Sequence, residues 1–424
     1  MAKFLKWTAI GVAAIALLLI GVAVALQQWL RTDDFRARVE REASAALGVP
    51  VQLGRLSVDL WPLPAVAVDQ VKIGVQPPLT VDRVEARPVW QALLQRRLEI
   101  ATLLVRKAVL PQAGIAAIGM AMQKKDKAAR PGAPSTSSTA PTPLVIPRSI
   151  VLDDITWVDE KGQRMTMHAT ADLGLDGLLD KASFRILQGR FAGTQAKLER
   201  AADHWPLRVE IGGGTIVGKL QLLPGKAGAQ LLQGQLNTDN VEVAALTAPS
   251  RPLTGKLQAR TTLRAEYREL GQLVDVLVTQ TRFTVRDAVV QGIDLARAVQ
   301  TVGLSRGGLT RLDTLAGQVA TRGRQVDVSN LVASSGALTA TGNVSMAPNR
   351  TLSGRVSVDL STTKGALGVP LQVGGTVDDP SVTLTRGAIA GAAIGTLLAP
   401  GLGTAAGAST GDKIGNALKG LFGR

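Results

Sequence analysis

The chain has 424 residues, 46% of them apolar and 3% aromatic, and carries a formal charge of +15 with a pI near 10.5. That length accommodates two or three domains with a sizeable core, while the lack of cysteine excludes disulfides and thiolate chemistry, and His168 and His204 have no companion cluster from which to build a metal or catalytic site. The basic balance lacks the aromatic interleaving of nucleic-acid binders, so no nucleic acid is expected, and the charge serves either an anionic membrane surface or a solvated face.

The first element is an uncharged run from Trp7 to Leu30, centred on Leu17, Leu18 and Leu19, with Trp7 and Trp29 at its ends. As a helix rising about 1.5 Å per residue, it would reach roughly 36 Å, enough for a hydrocarbon core of about 30 Å with interfacial tryptophans on both sides. Lys3 and Lys6 precede it, which predicts a cytoplasmic N-terminus and places residues 31 onward across the membrane. The competing reading is a cleavable signal, since Ala23-Val24-Ala25 fits the peptidase pattern; the apolar run exceeds the usual h-region of about 7 to 15 residues, which favours a retained anchor. Both readings export the rest.

Residues 31–111 read as a membrane-proximal helix plus a β module. Thr32 caps a helix with Asp33 and Asp34 in its first turn and Phe35, Val39 and Ala43 on one stripe, stopped by Gly48. From Val49 the apolar period changes to two, with Val51 and Leu53, then Leu56, Val58 and Leu60, then Val66, Val68 and Val71 alternating with polar residues. Pro62 and Pro64 interrupt this ladder as a turn or edge. A short helix is predicted over Pro88 to Gln95, followed by strand material. The pattern dissolves over residues 112–143, rich in Pro, Ser, Thr and Ala, which predicts a linker or mobile loop.

Residues 144–385 are mostly strand-like, with turns every 8 to 12 residues, which argues for a large antiparallel sheet rather than βαβ units. One helix is expected within YRELGQLVDVLV, from Tyr267 onward. A sheet with one apolar face and no covering helices must curl or leave a groove. The tail, residues 386–424, places Gly387, Gly391 and Gly395, then Gly403, Gly407, Gly411 and Gly415, at every fourth position, the spacing of a glycine zipper, with Pro400-Gly401 splitting it into a hairpin. That hairpin either enters a bilayer as a second membrane contact or packs on the sheet as a soluble element.

The catalytic motifs fail one by one. Gly401 to Gly407, GLGTAAG, imitates a GxGxxG loop with one residue too many before its last glycine and has no preceding strand, and Gly213 to Lys219 imitates a phosphate loop with Leu220 where a hydroxyl should bind magnesium. Asp153-Asp154 and Asp378-Asp379 read as turn residues, and no GxSxG elbow occurs. No catalytic residue, metal ligand or cofactor is expected.

The order of anchor, DDFRARVEREASAALG with Asp33, Phe35 and Gly48, a strand, the Pro62/Pro64 turn and the strand ending VKIG resembles the opening of the AsmA family of Gram-negative envelope proteins. Gly292-Ile293-Asp294-Leu295 and Gly375-Thr376-Val377-Asp378-Asp379-Pro380 resemble pieces of that family's C-terminal region. The resemblance covers roughly residues 1–85 and 255–385, and its specificity comes from motif order. It implies a single-pass protein of the bacterial inner membrane with its bulk in the periplasm and a curved β-groove similar to bridge-like lipid transfer proteins. The expected fold is mainly β with a few helices: an N-terminal transmembrane helix, a large curved antiparallel sheet and a C-terminal glycine-zipper hairpin. The expected function is non-enzymatic, binding or conducting phospholipid along the groove in support of outer-membrane biogenesis. The alternative is a structural or assembly factor for outer-membrane proteins or envelope complexes, with a closed sheet. Which apolar residues would line a groove is not set by the sequence.

Overall fold

A computed structural model describes residues 33–59, 65–89, 92, 95, 99–128, 147–248, 251–268, 272–300, 307–360, 368–385 and 387–388. The fold is mainly β, and the chain forms two compact units, Met1–Gly193 and Thr194–Arg424. The proposed anchor, with Trp7, Leu17, Leu18, Leu19 and Trp29, lies outside the described residues, as do Thr32, Pro62, Pro64 and the zipper glycines beyond Gly387. Among the described residues no helix is long and apolar enough to cross a membrane.

In the first unit, helix α1 (Asp33–Leu47) leads into strands β1 (Val51–Gln52), β2 (Leu56–Asp59), β3 (Ala65–Ile73), β4 (Leu79–Pro88) and β5 (Ile100–Pro111). Gly48 ends α1 at φ +70°, a conformation glycine reaches without steric cost, and its N–H donates to the Ser44 carbonyl at 2.9 Å. Two α1 side chains then hold the incoming strand: Ser44 Oγ accepts from Val51 N at 2.8 Å and Glu40 Oε1 from Leu53 N at 2.7 Å. The helix expected over Pro88 to Gln95 falls mostly outside the described residues, although Pro88 itself closes β4.

After β5 the structure departs from the sequence reading. Helix α2 (Gln112–Ala128) occupies the start of the stretch expected to be irregular. Its Ala, Met, Gln and Lys residues are good helix formers that outweigh two glycines at about 1 kcal/mol each. The chain next forms β6 (Ser149–Val158), which pairs with β5 in parallel, and parallel neighbours need a long crossover connection. Strands β7 (Arg164–Leu173) and β8 (Leu179–Gln188) then extend the unit as an antiparallel meander.

The second unit contains β9 (Gln195–Glu199), β10 (Trp205–Ile211), β11 (Gly214–Pro224), β12 (Gln230–Glu242), β13 (Leu253–Tyr267) and β14 (Val278–Gln291). It continues with β15 (Leu309–Arg322), β16 (Gln325–Ser334), β17 (Leu338–Met346), β18 (Leu352–Leu360), β19 (Val369–Gly375) and β20 (Pro380–Leu384). Each pairs antiparallel with its sequence neighbour, as the turn spacing predicts. Among the described residues three short α-helices accompany them: α3 (Val243–Thr247), α4 (Leu273–Val276) and α5 (Leu295–Gln300). The helix expected from Tyr267 shrinks to α4, because Tyr267 still belongs to β13.

Non-glycine residues in the left-handed region mark where the ladders shift. Asn240 in β12 and Asp287 in β14 flank Gly255, φ +122°, in β13, so three adjacent strands bulge at one level and the sheet bends there. Gln70, Lys107 and Asp154 do the same in β3, β5 and β6 of the first unit. Asp153 and Asp154 are therefore strand residues at a bulge rather than turn residues, whereas Asp378 and Asp379 do lie in the β19–β20 turn.

Candidate functional site

Cross-strand register arranges the alternating apolar residues into continuous rows. In the first unit, Leu56, Val68, Val84, Val105, Leu152, Ala169 and Phe184 are successive partners across β2–β8. A second row beside it runs from Val58 through Val66, Ala86 and Leu103 to Ala182. Leu56 is buried, whereas the others are half-buried, and Val66 is 37% exposed.

In the second unit one row crosses all twelve strands, starting Leu198, Leu207, Gly218, Leu236 and ending Val344, Gly354, Val373, Val382. Its middle carries Thr261 and Thr281, whose hydroxyls bond each other at 2.9 Å; Thr279 and Thr321 do likewise at 2.7 Å one step along. Mutual hydrogen bonding lets these hydroxyls sit on an apolar face at little cost.

This face changes character along the sheet. Over β14–β19 a row of Val285, Leu315, Ala333, Ala340, Val358 and Val369 is at most 7% exposed and belongs to a core that also contains Ala298 of α5, Leu371 and Ala388. Over β9–β13 the equivalent Leu198, Leu207, Leu220, Leu236 and Leu263 are only half-buried. The packed end is closed by curling: a Cβ on Gly292, just beyond β14, would lie 3.1 Å from Pro380 Cγ at the start of β20, although five strands separate the two in the ladder.

The C-terminal motif residues therefore meet. Gly292 has φ +82°; Asp294 accepts from Arg297 N at 2.9 Å and so caps α5. Gly375, φ +78°, starts the last turn, in which Thr376 N donates to the Asp379 carbonyl at 3.0 Å and Asp379 N to Thr376 Oγ1 at 3.1 Å. At the other end of the chain, Asp33 pairs with Arg36 at 2.9 Å, and Phe35 is half-buried on α1. Gly387 is half-buried in a helical turn beside Ala388.

The opposite face carries the charged residues in both units, mixed in the first with buried Ala67 and Leu104 on the row of Glu85. In the first, Glu85, 5% exposed, accepts from Arg83 Nε at 2.8 Å and faces Arg106 Nη1 at 3.3 Å and Arg87 Nη2 at 3.7 Å. Arg83 also bridges Asp69 at 2.7 Å and bonds Asp59. The Glu85 hydrogen bond, then Asp69 and the Asp59 charge, hold the Arg83 guanidinium protonated above its ordinary range, against the opposing effect of burial.

In the second unit a cavity of about 1,210 Å³ opens on β12–β16. The lining at both ends of each strand segment consists of polar-face residues: Gln235 and Asp239, Gln258 and Thr262, Gln280 and Thr284. Polar-face side chains dominate that lining, but consecutive residues contribute to it, so Leu236, Thr261, Thr281 and Val319 of the twelve-strand row border the cavity as well. Sequence reasoning missed it because its arginines come from separate strands. Among the described residues, no group of three or more His, Asp or Glu is placed to hold a metal ion. Compared with protein-family models, curated proteins and solved structures, the chain matches none.

Proposed function

We propose that this is a non-enzymatic envelope protein of the AsmA type that binds or conducts phospholipid along the apolar face of its sheet, anchored in the bacterial inner membrane by its N-terminal segment, with its bulk in the periplasm. The observation that carries this reading is the twelve-strand row from Leu198 to Val382, half-buried over β9–β13 and packed at its far end. At about 4.8 Å between strands, the half-buried stretch over β9–β13 is on the order of 20 Å long, comparable with the thickness of one leaflet's hydrocarbon, about 15 Å. Acyl chains lying on it would remove apolar area from water at roughly 25 cal/mol per Å², before ordering costs, while headgroups stay hydrated. The order of motifs similar to the AsmA family adds support. The packed core over β14–β20 favours the alternative, a structural or assembly factor, for that end only.

The test places a photo-crosslinking amino acid at neighbouring positions on opposite faces, Leu207 against Arg208 and Leu198 against Lys197, in the full-length protein in cells. Lipid adducts at Leu207 and Leu198 alone are expected. Equal labelling on both faces, or none at any of the four sites, would sink the lipid reading.

A further inference from the structure

We propose that the polar-face cavity of the second unit is a binding site for a phosphorylated glycan. Arg260 and Arg282 are direct register partners on β13 and β14, both exposed and both lining the cavity. Like charges placed opposite each other on a sheet are unfavourable unless an anion lies between them. Among the described residues no carboxylate pairs with either; the acid in the lining, Asp239, accepts from Gln258 Nε2 at 3.1 Å.

Amide side chains surround the two guanidiniums, with Asn237 and Gln318 completing their cross-strand row and Gln235 and Gln280 flanking it. Guanidinium forks match phosphate oxygens, and amides both donate and accept, as sugar hydroxyls require. The volume, about 1,210 Å³, far exceeds a bare phosphate and suits an oligosaccharide. A second cavity of about 260 Å³ adjoins it through Gln235 and Thr262 and adds Lys219 and Arg264. Positive charge thus continues beyond the first pair, and the ligand is extended. Its arginines and amides belong to the face opposite the apolar row, although Leu236, Thr261, Thr281 and Val319 of that row also border the cavity.

The full-length protein in phosphatidylcholine nanodiscs is titrated with trehalose 6-phosphate, trehalose and inorganic phosphate. Trehalose 6-phosphate should bind most tightly. Replacing both arginines, Arg260→Gln with Arg282→Gln, should weaken it roughly tenfold or more. The pair Arg286→Gln with Arg311→Gln, outside the lining, should stay within about twofold. Vesicles of phosphatidylcholine with phosphatidylinositol 4-phosphate identify the source: competition with the soluble sugar phosphate supports a glycolipid headgroup, and binding of the soluble ligand alone supports a free glycan. Equal affinity for inorganic phosphate, equal loss in the control pair, or an unchanged double variant with native circular dichroism would overturn the proposal.

Discussion

Truncating one leucine at each end of the apolar face tests whether that face is open. Leu371 in β19 is 0% exposed, while Leu236 in β12 is half-buried in the row that runs toward it. Leu371→Ala removes three buried carbons, about 2.4 kcal/mol of transfer free energy at roughly 0.8 each, and leaves a cavity worth up to about 2 kcal/mol more. A loss of about 2.5–4.5 kcal/mol is expected. Leu236→Ala removes the same atoms from a site that water already reaches, so no sealed cavity forms and about 1 kcal/mol is expected. Equilibrium urea unfolding, followed by hydrogen exchange of amides in β12 and β19, measures both. If Leu236→Ala costs as much as Leu371→Ala, the face over β9–β13 is packed, and the physical basis for acyl binding there is gone.

Three further outcomes follow from local geometry. Gly375→Ala would set a Cβ against the Asp379 carbonyl at a positive φ, and should lower stability by about 1–3 kcal/mol in the same unfolding assay; an unchanged midpoint would refute the strain argument. Glu85→Gln leaves Arg83, Arg87 and Arg106 without their shared carboxylate; because those guanidiniums are partly solvated, the cost should be about 1–3 kcal/mol, and it should shrink in high salt. The His204 hydrogen bond holds the Asp203 carboxyl below its ordinary range, so the favourable contact is complete above that range and lost as pH falls through the lowered value. A carbon-13 titration should find Asp203 low in the native protein and shifted up in His204→Ala; identical titrations would refute it.

Period-two alternation made most strands legible, because each needs only its own residues to announce two faces. Leu198 and Arg208 could be assigned to opposite sides without knowing their partners. What escaped depends on pairing. Nothing within Ile100–Pro111 signals that β5 will lie parallel to β6, and so nothing required a crossover helix at Gln112. The bulges at Asn240 and Asp287 use asparagine and aspartate, which tolerate the left-handed region but do not demand it. Arg260 and Arg282 each read as ordinary polar positions, and only register makes them neighbours. Gly292 and Pro380 were visible as motif pieces, but their contact needs the curl of seven strands.

Among the described residues, strands β9–β13 hydrogen-bond only to their sequence neighbours and contribute no buried residue to the shared core of β14–β20, so that part of the sheet is an additive array in which each hairpin depends on the two beside it. Length in such an array can change by gain or loss of a hairpin, since an even number of strands keeps the chain direction of the next strand. Damage stays local for the same reason. The capped end at β20 sets one terminus, and the distance reached from it is a matter of how many hairpins the gene encodes.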